Sequence, residues 1–379
     1  MRARSVPGAQ QKVQSAMKMK AAIYQKPHEP LSIEEVELRK PIAGEVLVRT
    51  VCSGVCHSDM HFVDGLWALP IPTVLGHEAA GVVEEVGDGV SYVKKGDRVI
   101  MSFRPFCGAC YYCLRGEPHL CNDMGIQASA AGRMTWKGGP LLQFANVGSF
   151  AEYMITSQNG VVKIPSEMPM AEAALIGCGV MTGIGAALYT AKVPGGSVTA
   201  VIGCGGIGLN VIQGCKLAGA STIIAIDVVP EKLELAKKFG ATHTINAKTD
   251  DAVAAVKTLT GGLGVEYAFE AIGSPTAAAQ AFEMIRNGGT AVIVGMMPMG
   301  SEVKLSGPGF LGEKKAIGCM YGSTRFRDHM PKLVDLFLQG RIDLSGLVSQ
   351  RLKLADVNKG FDLMRSGKVA RSVLDISAA

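Results

Sequence analysis

Residues 197–208 have the sequence SVTAVIGCGGIG, and this stretch decides how the second half of the chain folds. Residues 197–202 are apolar and rich in β-branched side chains, which is typical of a buried strand. Residues 203–208 form a G-x-G-x-x-G sequence, and residues 209–217 then have helical character. Glycines between a strand and a helix permit a tight turn and let a pyrophosphate approach the helix N-terminus.

The following segments continue the same alternation of strands and helices. Residues 222–226 form a second apolar strand that ends in Asp227, whose carboxylate is placed to accept hydrogen bonds from an adenosine ribose. The pattern predicts further strands at 265–269 and 290–294 and helices at 231–239 and 276–286. Such alternation indicates a parallel, doubly wound sheet, here a dinucleotide-binding domain over residues 180–320.

The first half of the chain has a different pattern. Short apolar or alternating segments at 20–24, 45–51, 81–87 and 97–100 are separated by Pro and Gly, which predicts a β-rich, barrel-like domain. The fold class is therefore α/β, with this domain beside the doubly wound one. Residues 1–18 are polar and lack an apolar segment, so we expect a disordered extension, and residues 122–148 are expected to be a long loop.

Composition excludes several classes of function. The chain has 379 residues, 48% hydrophobic content and a net charge of +5, which predicts a globular protein that binds neither nucleic acid nor membrane. Its ten cysteines include a tight group of four, without a secretory leader, which favours metal binding over disulfides in a reducing, cytoplasmic compartment.

The stretch from Cys52 to His61 has the densest set of reactive side chains. Cys56 is a candidate soft metal ligand, His77 a second and Cys178 a third. A Cys, His, Cys set with a fourth position open is a recognised catalytic zinc arrangement, and Asp59 could support one of its ligands. Each of the three by itself could equally be a buried core residue.

Four cysteines over 107–121 form a second candidate metal site. Cys107, Cys110 and Cys113 follow one another at three-residue intervals, and Cys121 comes shortly after. Four thiolates on one compact lobe can close a tetrahedral zinc without an open position, which is a structural site. Two disulfides are the alternative interpretation.

Together these motifs resemble the zinc-dependent alcohol dehydrogenases of the medium-chain dehydrogenase/reductase superfamily. The resemblance covers residue 19 to the C-terminus and depends on G-V-C-H-S-D at 54–59, G-H-E at 76–78, the four-cysteine lobe, G-C-G at 177–179 and the G-x-G-x-x-G. It implies a catalytic domain of residues 19–179 and 321–379, two zinc ions per chain, NAD as cofactor and a homodimer or homotetramer.

The resemblance also implies a role for individual residues. Cys56, His77 and Cys178 match the catalytic zinc ligands, Glu78 the acid behind the metal, and Asp59 the residue that orients the ligand His. Ser58 matches the hydroxyl that takes the substrate proton and His61 the group that relays it. The matching cofactor contacts are His57, Thr182, Gly203, Gly205, Gly206, Ile207, Gly208, Asp227, Lys232 and Arg371.

The implied reaction is reversible hydride transfer between an alcohol and NAD. The resemblance places Ser58, Trp67 and Phe103 around the substrate, which predicts medium-chain or aromatic alcohols, mainly primary ones. Trp67 and Phe103 could instead simply pack in the core. A polyol or amino-alcohol dehydrogenase of the same superfamily and a non-catalytic zinc-stabilised nucleotide-binding module are the alternative functions.

Overall fold

The computed structural model describes residues 16–127, 132–367 and 369–376, and it contains a closed barrel, a larger sheet to which both ends of the chain contribute, and a separate parallel sheet. The barrel is closed by Met17–Tyr24, Ser32–Leu38, Met134–Trp136, Gly139–Gln143 and Thr73–Val74. The seven-stranded sheet has the order Val161–Lys163, Arg98–Met101, Glu78–Val86, Glu45–Val55, Arg371–Asp375 and Val348–Lys353, with Tyr153–Ser157 paired to Glu45–Val55.

The second half of the chain forms a parallel sheet of six strands. Their order is His243–Asn246, Thr222–Asp227, Val198–Ile202, Val265–Glu270, Ile285–Ile293 and Lys315–Gly318. The connecting helices are Gly206–Leu217, Pro230–Phe239, Ala252–Leu259 and Pro275–Met284. The predicted α/β class, with a barrel-like part and a doubly wound sheet, is confirmed. The domain boundaries at 179/180 and 320/321 stay predictions.

The remaining helices support the barrel, the large sheet and the junction between the two halves. They are His57–Val63, Tyr111–Leu114, Met124–Gln127, Met170–Leu175, Met181–Gly185, Gly307–Leu311, Phe326–Leu338 and Val357–Arg365. Two π-helical turns, Ile176–Val180 and Ala186–Thr190, make the segment Met170–Thr190 one continuous helix. This helix is long and apolar enough to span a membrane, but 89% of its most apolar window is buried inside the protein, as in a core helix.

Three expectations about local structure are wrong. Residues 122–148 are not one long loop, because Met134–Trp136 and Gly139–Gln143 form a hairpin that completes the barrel. Its turn is Lys137-Gly138, both with positive φ, which is the geometry of a tight two-residue hairpin turn. The first strand begins at Met17, within the predicted extension; residues 1–15 lie outside the described residues. The sequence G-S-F-A-E-Y at 148–153 also predicts a strand, but that strand begins only at Tyr153.

Candidate active site and metal centres

Four buried side chains from distant parts of the chain meet in one cluster. The ligand atoms of Cys56, His77, Glu78 and Cys178 all lie within 4.8 Å of one another. Cys56 directly precedes the helix His57–Val63, and His77 and Glu78 stand at the start of a strand of the large sheet. Cys178 lies in the π-helical turn Ile176–Val180, and such turns are frequent at functional sites. The structure thus brings together the residues that the sequence singled out as the catalytic metal set.

Asp59 fixes the orientation of the His77 ring. One of its carboxylate oxygens accepts hydrogen bonds from the Gly76 backbone N–H at 2.9 Å and from His77 Nδ1 at 3.2 Å. A carboxylate at Nδ1 favours the tautomer that carries its proton there, so that Nε2 keeps a lone pair for a metal. Asp59 is fully buried. Its geometry fits the supporting role that the sequence comparison implied for it.

Glu78 holds the opposite side of the cluster and is itself fully buried. Its Oε1 accepts the Gly179 N–H at 3.2 Å and lies 3.4 Å from the Arg371 guanidinium, while its Oε2 has no hydrogen-bond partner among the described residues. A Cβ on Gly54 would lie 2.3 Å from that Oε2, so only glycine fits beneath the carboxylate. An unpaired buried carboxylate oxygen is unfavourable unless a cation or proton neutralises it.

The electrostatics of the cluster favour a divalent cation. The hydrogen bond from Cys178 lowers the pKa of Cys56 well below its usual value, and the positive charge of Arg371 adds to the effect. The same hydrogen bond raises the pKa of Cys178, because that thiol donates the shared proton. Burial raises the pKa of Glu78 to about 8 despite the opposing effect of Arg371. Two sulfurs, an imidazole and a carboxylate are a donor set that zinc prefers. A divalent cation would neutralise the negative charge of this set that Arg371 leaves unbalanced.

The four cysteines of the 107–121 lobe have the separations of a metal centre. The Cys107 and Cys113 sulfurs are 4.0 Å apart, and those of Cys110 and Cys121 are 3.8 Å apart. A tetrahedral zinc with Zn–S bonds of about 2.3 Å has sulfurs about 3.8 Å apart, whereas a disulfide is about 2.0 Å long. The backbone N–H of Cys113 lowers the pKa of Cys110 to about 6, so this thiol ionises readily. The sulfur geometry therefore fits metal and not the disulfide alternative.

A single cavity of about 250 Å³ connects the metal cluster to the glycine-rich turn. Cys56, Ser58 and His61 line one end of it, and the other end reaches the turn at 203–207 and Asp227. Burial lowers the pKa of His61, although Cys56 and Asp64 oppose the shift. The His57 side chain is partly exposed, and partial desolvation together with the Arg371 charge lowers the pKa of its imidazole to about 4. A larger surface hollow near Asp250 and Lys257 has no cysteine or histidine in its wall.

The glycine-rich turn presents the N-terminus of the helix Gly206–Leu217 to this cavity. Gly203 has a φ of +96°, and a Cβ on Gly208 would lie 1.7 Å from the Gly203 carbonyl oxygen. Gly205 caps the helix without a side chain, so the first N–H groups of the helix stay available to an anion. Arg371 lies over Gly206 and adds a positive charge at the same place.

Asp227 lies at the end of its strand, as its position in the sequence suggested. Its carboxylate accepts the N–H groups of Cys204 at 2.7 Å, Val228 at 2.8 Å and Val229 at 3.0 Å. These bonds connect the acid to the glycine-rich turn, and a carboxylate with about four acceptor positions keeps capacity for a hydroxyl. Lys232 lines the cavity beside it.

The cavity wall includes most of the predicted cofactor residues and some that were missed. His57, Gly203, Gly205, Gly206, Ile207, Asp227, Lys232 and Arg371 line it, whereas Thr182 is buried one turn after Cys178 and Gly208 packs under the turn. The missed wall residues are Val228, Val229, Ala271, Ile272, Gly295 and Met296. The last four follow the carboxyl ends of two parallel strands, which is where ligands bind in such sheets and could have been the signal.

Two aromatic rings pack against the His77 ring of the cluster. The Phe103 ring centre is 5.7 Å from that of His77, and the Phe144 ring centre is 5.4 Å from it, both edge to face. Phe103 was predicted, whereas Phe144 was missed because it lies in the segment interpreted as a loop. Trp67 is half-buried and outside the cavity wall, and its indole N–H donates to the Met297 carbonyl at 2.7 Å.

Comparisons with known proteins agree with this geometry. The family described as "Alcohol dehydrogenase GroES-like domain" matches residues 42–166, and the family described as "Zinc-binding dehydrogenase" matches residues 206–339. The chain is similar to an alcohol dehydrogenase zinc-binding domain protein from Burkholderia ambifaria, with 35% identity, TM-score 0.90, and 96% of this chain and 100% of that one covered.

Two further solved structures are similar over nearly the whole chain. The first is benzyl alcohol dehydrogenase from Acinetobacter calcoaceticus, with 33% identity, TM-score 0.90, and 95% and 99% of the two chains covered. The second is an NADP-bound zinc-binding dehydrogenase from Sinorhizobium meliloti 1021, with 26% identity, TM-score 0.79, and 95% and 99% covered. Similarity at this level extends over both halves of the chain.

Proposed function

The chain belongs to the zinc-dependent alcohol dehydrogenases of the medium-chain dehydrogenase/reductase superfamily, and from this membership we propose that it is an NAD-dependent alcohol dehydrogenase. One observation carries the proposal. The cavity that begins at Cys56, Ser58 and His61 ends at the glycine-rich turn and Asp227. A metal held by the cluster and a dinucleotide held by the turn would therefore share one water-restricted space, as hydride transfer requires.

Two zinc ions per chain are part of the proposal. Cys56, His77 and Cys178 would hold the catalytic ion, with Glu78 behind it, and Cys107, Cys110, Cys113 and Cys121 would hold the structural one. Zinc bound in the first site supplies a Lewis acid that makes a coordinated alcohol more acidic. The nicotinamide supplies the hydride acceptor.

The side chains of the protein then orient the reactants and move the proton. The Ser58 hydroxyl takes the proton of the alcohol, and the half-buried imidazole of His61, lining the same cavity, passes it towards solvent. Asp59 keeps His77 in its ligating orientation, and Arg371 balances the charge of Glu78. Arg371 and the helix N-terminus at Gly206 attract the pyrophosphate.

NAD is the proposed cofactor because of the charge at the ribose position. Asp227 would repel a 2′-phosphate, and Val228 and Val229, which follow it directly, carry no positive charge. The resemblance assigns Lys232, which lines the same cavity, to the ribose hydroxyls. An unfavourable charged contact in a partly exposed site is worth on the order of 1–3 kcal/mol. The NADP bound to the Sinorhizobium meliloti protein makes this preference worth measuring directly.

The proposed substrates are medium-chain and aromatic alcohols, mainly primary ones. Phe103 and Phe144 flank His77 with apolar ring edges, and burial of apolar area contributes roughly 25 cal/mol per Å². Benzyl alcohol dehydrogenase is among the similar proteins, which supports an aromatic substrate for this chain as well.

We also propose that the protein is cytoplasmic and forms a homodimer or homotetramer. The self-association is supported by Leu311, which is 90% exposed and lies next to the edge strand Lys315–Gly318.

Nicotinamide reduction with a panel of alcohols tests the function. We expect kcat/KM to rise from ethanol through hexanol to benzyl alcohol, with NAD preferred over NADP and sorbitol a poor substrate. Sorbitol at the head of the series would indicate a polyol dehydrogenase. Cofactor binding without turnover of any alcohol would indicate the non-catalytic module.

A further inference from the structure

Two hydrogen bonds connect the N-terminal half of the chain to the parallel-sheet half beside the cavity that joins the metal cluster to the glycine-rich turn. The Trp67 indole N–H donates to the Met297 carbonyl at 2.7 Å, and the Met299 backbone N–H donates to the Leu66 carbonyl at 3.2 Å. Trp67 belongs to the turn after the helix His57–Val63, and Met297 follows the fifth strand of the parallel sheet. The two partners are 230 residues apart in the sequence.

The turn at Leu66–Trp67 is fixed to the proposed proton relay. The backbone N–H groups of Leu66 and Trp67 both donate to the His61 carbonyl, at 2.8 and 3.2 Å. Whatever holds Trp67 in place therefore also holds the end of the helix that carries His61. His61 itself lines the cavity.

Residues 294–300, which contain Met297 and Met299, form part of the wall of the same cavity. Gly295 and Met296 line it, and Met296 also packs against the apolar cluster that contains Phe62. The segment is attached at its start, where the Val294 and Gly295 N–H groups donate to the Glu270 carbonyl. Its far end is attached by Trp67 and Leu66.

The position of the contact allows it to open. Leu66 and Met299 are both exposed, with Met299 64% accessible, so the bond between them lies at the surface and water can replace it. The Trp67–Met297 bond beside it is partly buried. Residues 294–300 form no helix or strand, and local structure of that kind opens at low cost. A neutral hydrogen bond that competes with water is weak enough to break during each cofactor exchange.

We propose that Trp67 is a positioning residue that ties the His61 turn to the Met296 wall and so slows release of the nicotinamide cofactor. The proposal rests on the proposed function, because it takes the ligand of the cavity to be a nicotinamide dinucleotide. Trp67 then acts through Met297 and His61 and touches neither reacting atom.

A pair of matched variants tests the tie. The chain contains two tryptophans, Trp67 and Trp136, and Trp136 is a half-buried residue of the barrel hairpin outside the cavity wall. Trp67→Phe keeps an aromatic ring but removes the donor, and Trp136→Phe makes the same change elsewhere. Stopped-flow displacement of NADH by excess NAD measures the dissociation rate in each zinc-loaded protein.

The expected result is a dissociation rate raised roughly 3- to 10-fold in Trp67→Phe, the range of one neutral hydrogen bond. The KM for the cofactor should rise with it, while kcat stays equal or increases. Trp136→Phe should match the unchanged protein. In that variant Trp67 is the only tryptophan, and its emission should change when NADH binds.

Three outcomes would overturn the tie. The first is an unchanged dissociation rate in an active Trp67→Phe enzyme, and the second is Trp67 emission that does not respond to NADH in Trp136→Phe. The third is a loss of thermal stability and kcat without faster release, since that pattern describes packing alone. In all three the proposed function survives, whereas failure of the unchanged protein to bind NADH would remove both proposals.

Discussion

Replacement of Asp59 by Asn tests whether the buried cluster holds a metal through an oriented His77. Asp59 accepts hydrogen bonds from His77 Nδ1 at 3.2 Å and from the Gly76 N–H at 2.9 Å, and it is fully buried. Burial alone would lower the pKa of His77, but the Asp59 charge raises it well above its usual value. Asn has nearly the same shape, so the substitution removes the charge while the packing stays the same.

The expected loss follows from the strength of the two kinds of hydrogen bond. A hydrogen bond to a charged group contributes about 1.5–3 kcal/mol and a neutral one about 0.5–1.5 kcal/mol, so the difference is about 1–1.5 kcal/mol. That difference corresponds to roughly a tenfold weaker zinc affinity, at the lower end of the roughly 10- to 100-fold typical of residues that orient metal-bound histidines.

The assay is equilibration of the protein against a series of zinc buffers, followed by zinc analysis and alcohol oxidation. In Asp59→Asn, one of the two zinc sites should be half-occupied at a roughly tenfold higher free zinc concentration than in the unchanged protein. Activity should follow the occupancy of that site. Asp328→Asn is the matched control, because Asp328 also contacts a histidine, with its exposed carboxylate 3.3 Å from His329 Nε2. Equal zinc retention by Asp59→Asn and the control would refute the proposed orientation of His77.

The remaining predictions concern the second metal, the cofactor and the proton path. Cys110→Ser should lower the midpoint of thermal unfolding by several degrees, whereas Cys178→Ser should abolish activity with little change in unfolding; zinc analysis giving fewer than two ions in the active protein would contradict this pair. Asp227→Gly should narrow the ratio of kcat/KM for NAD over NADP, and an unchanged ratio would show that another residue sets the preference. Because the pKa of His61 is lowered, its imidazole stays an unprotonated base to a pH below ~6.5. His61→Gln should therefore slow alcohol oxidation mostly in weak buffer, and added imidazole should restore the rate. An unaltered oxidation rate would place the proton path elsewhere.

Local sequence patterns predicted those features whose partners lie close together along the chain, and only the family resemblance anticipated the distant set Cys56, His77 and Cys178. The glycine-rich turn is one strand, one tight turn and one helix, so local periodicity and glycine chemistry specify it. The four-cysteine lobe spans only residues 107–121, so its four thiols have to lie close together, and the sulfur distances then favoured a metal over two disulfides. Asp227 could be anticipated because a strand end in an alternating pattern has a known place at the sheet edge.

Features that depend on distant pairing were decided by the tertiary structure. Strand Arg371–Asp375 pairs with strand Glu45–Val55 so that Ser372 lies opposite Val55, and this register places Arg371 beside Cys56 and Glu78. A shift of one residue would turn the Arg371 side chain to the other face of the sheet. No local pattern reports such a register.

The same limit explains the residues that sequence reasoning missed. The hairpin containing Met134–Trp136 has strands of three and five residues, too short for a clear alternation, and it is stabilised by closing the barrel. That closure brings the following residue, Phe144, against His77. The position of Met296 in the cavity wall and the Trp67–Met297 hydrogen bond arise where the parallel-sheet half of the chain packs against the N-terminal half. Local sequence therefore determined which chemical groups this protein has, and the packing of the two halves decided which of them act together.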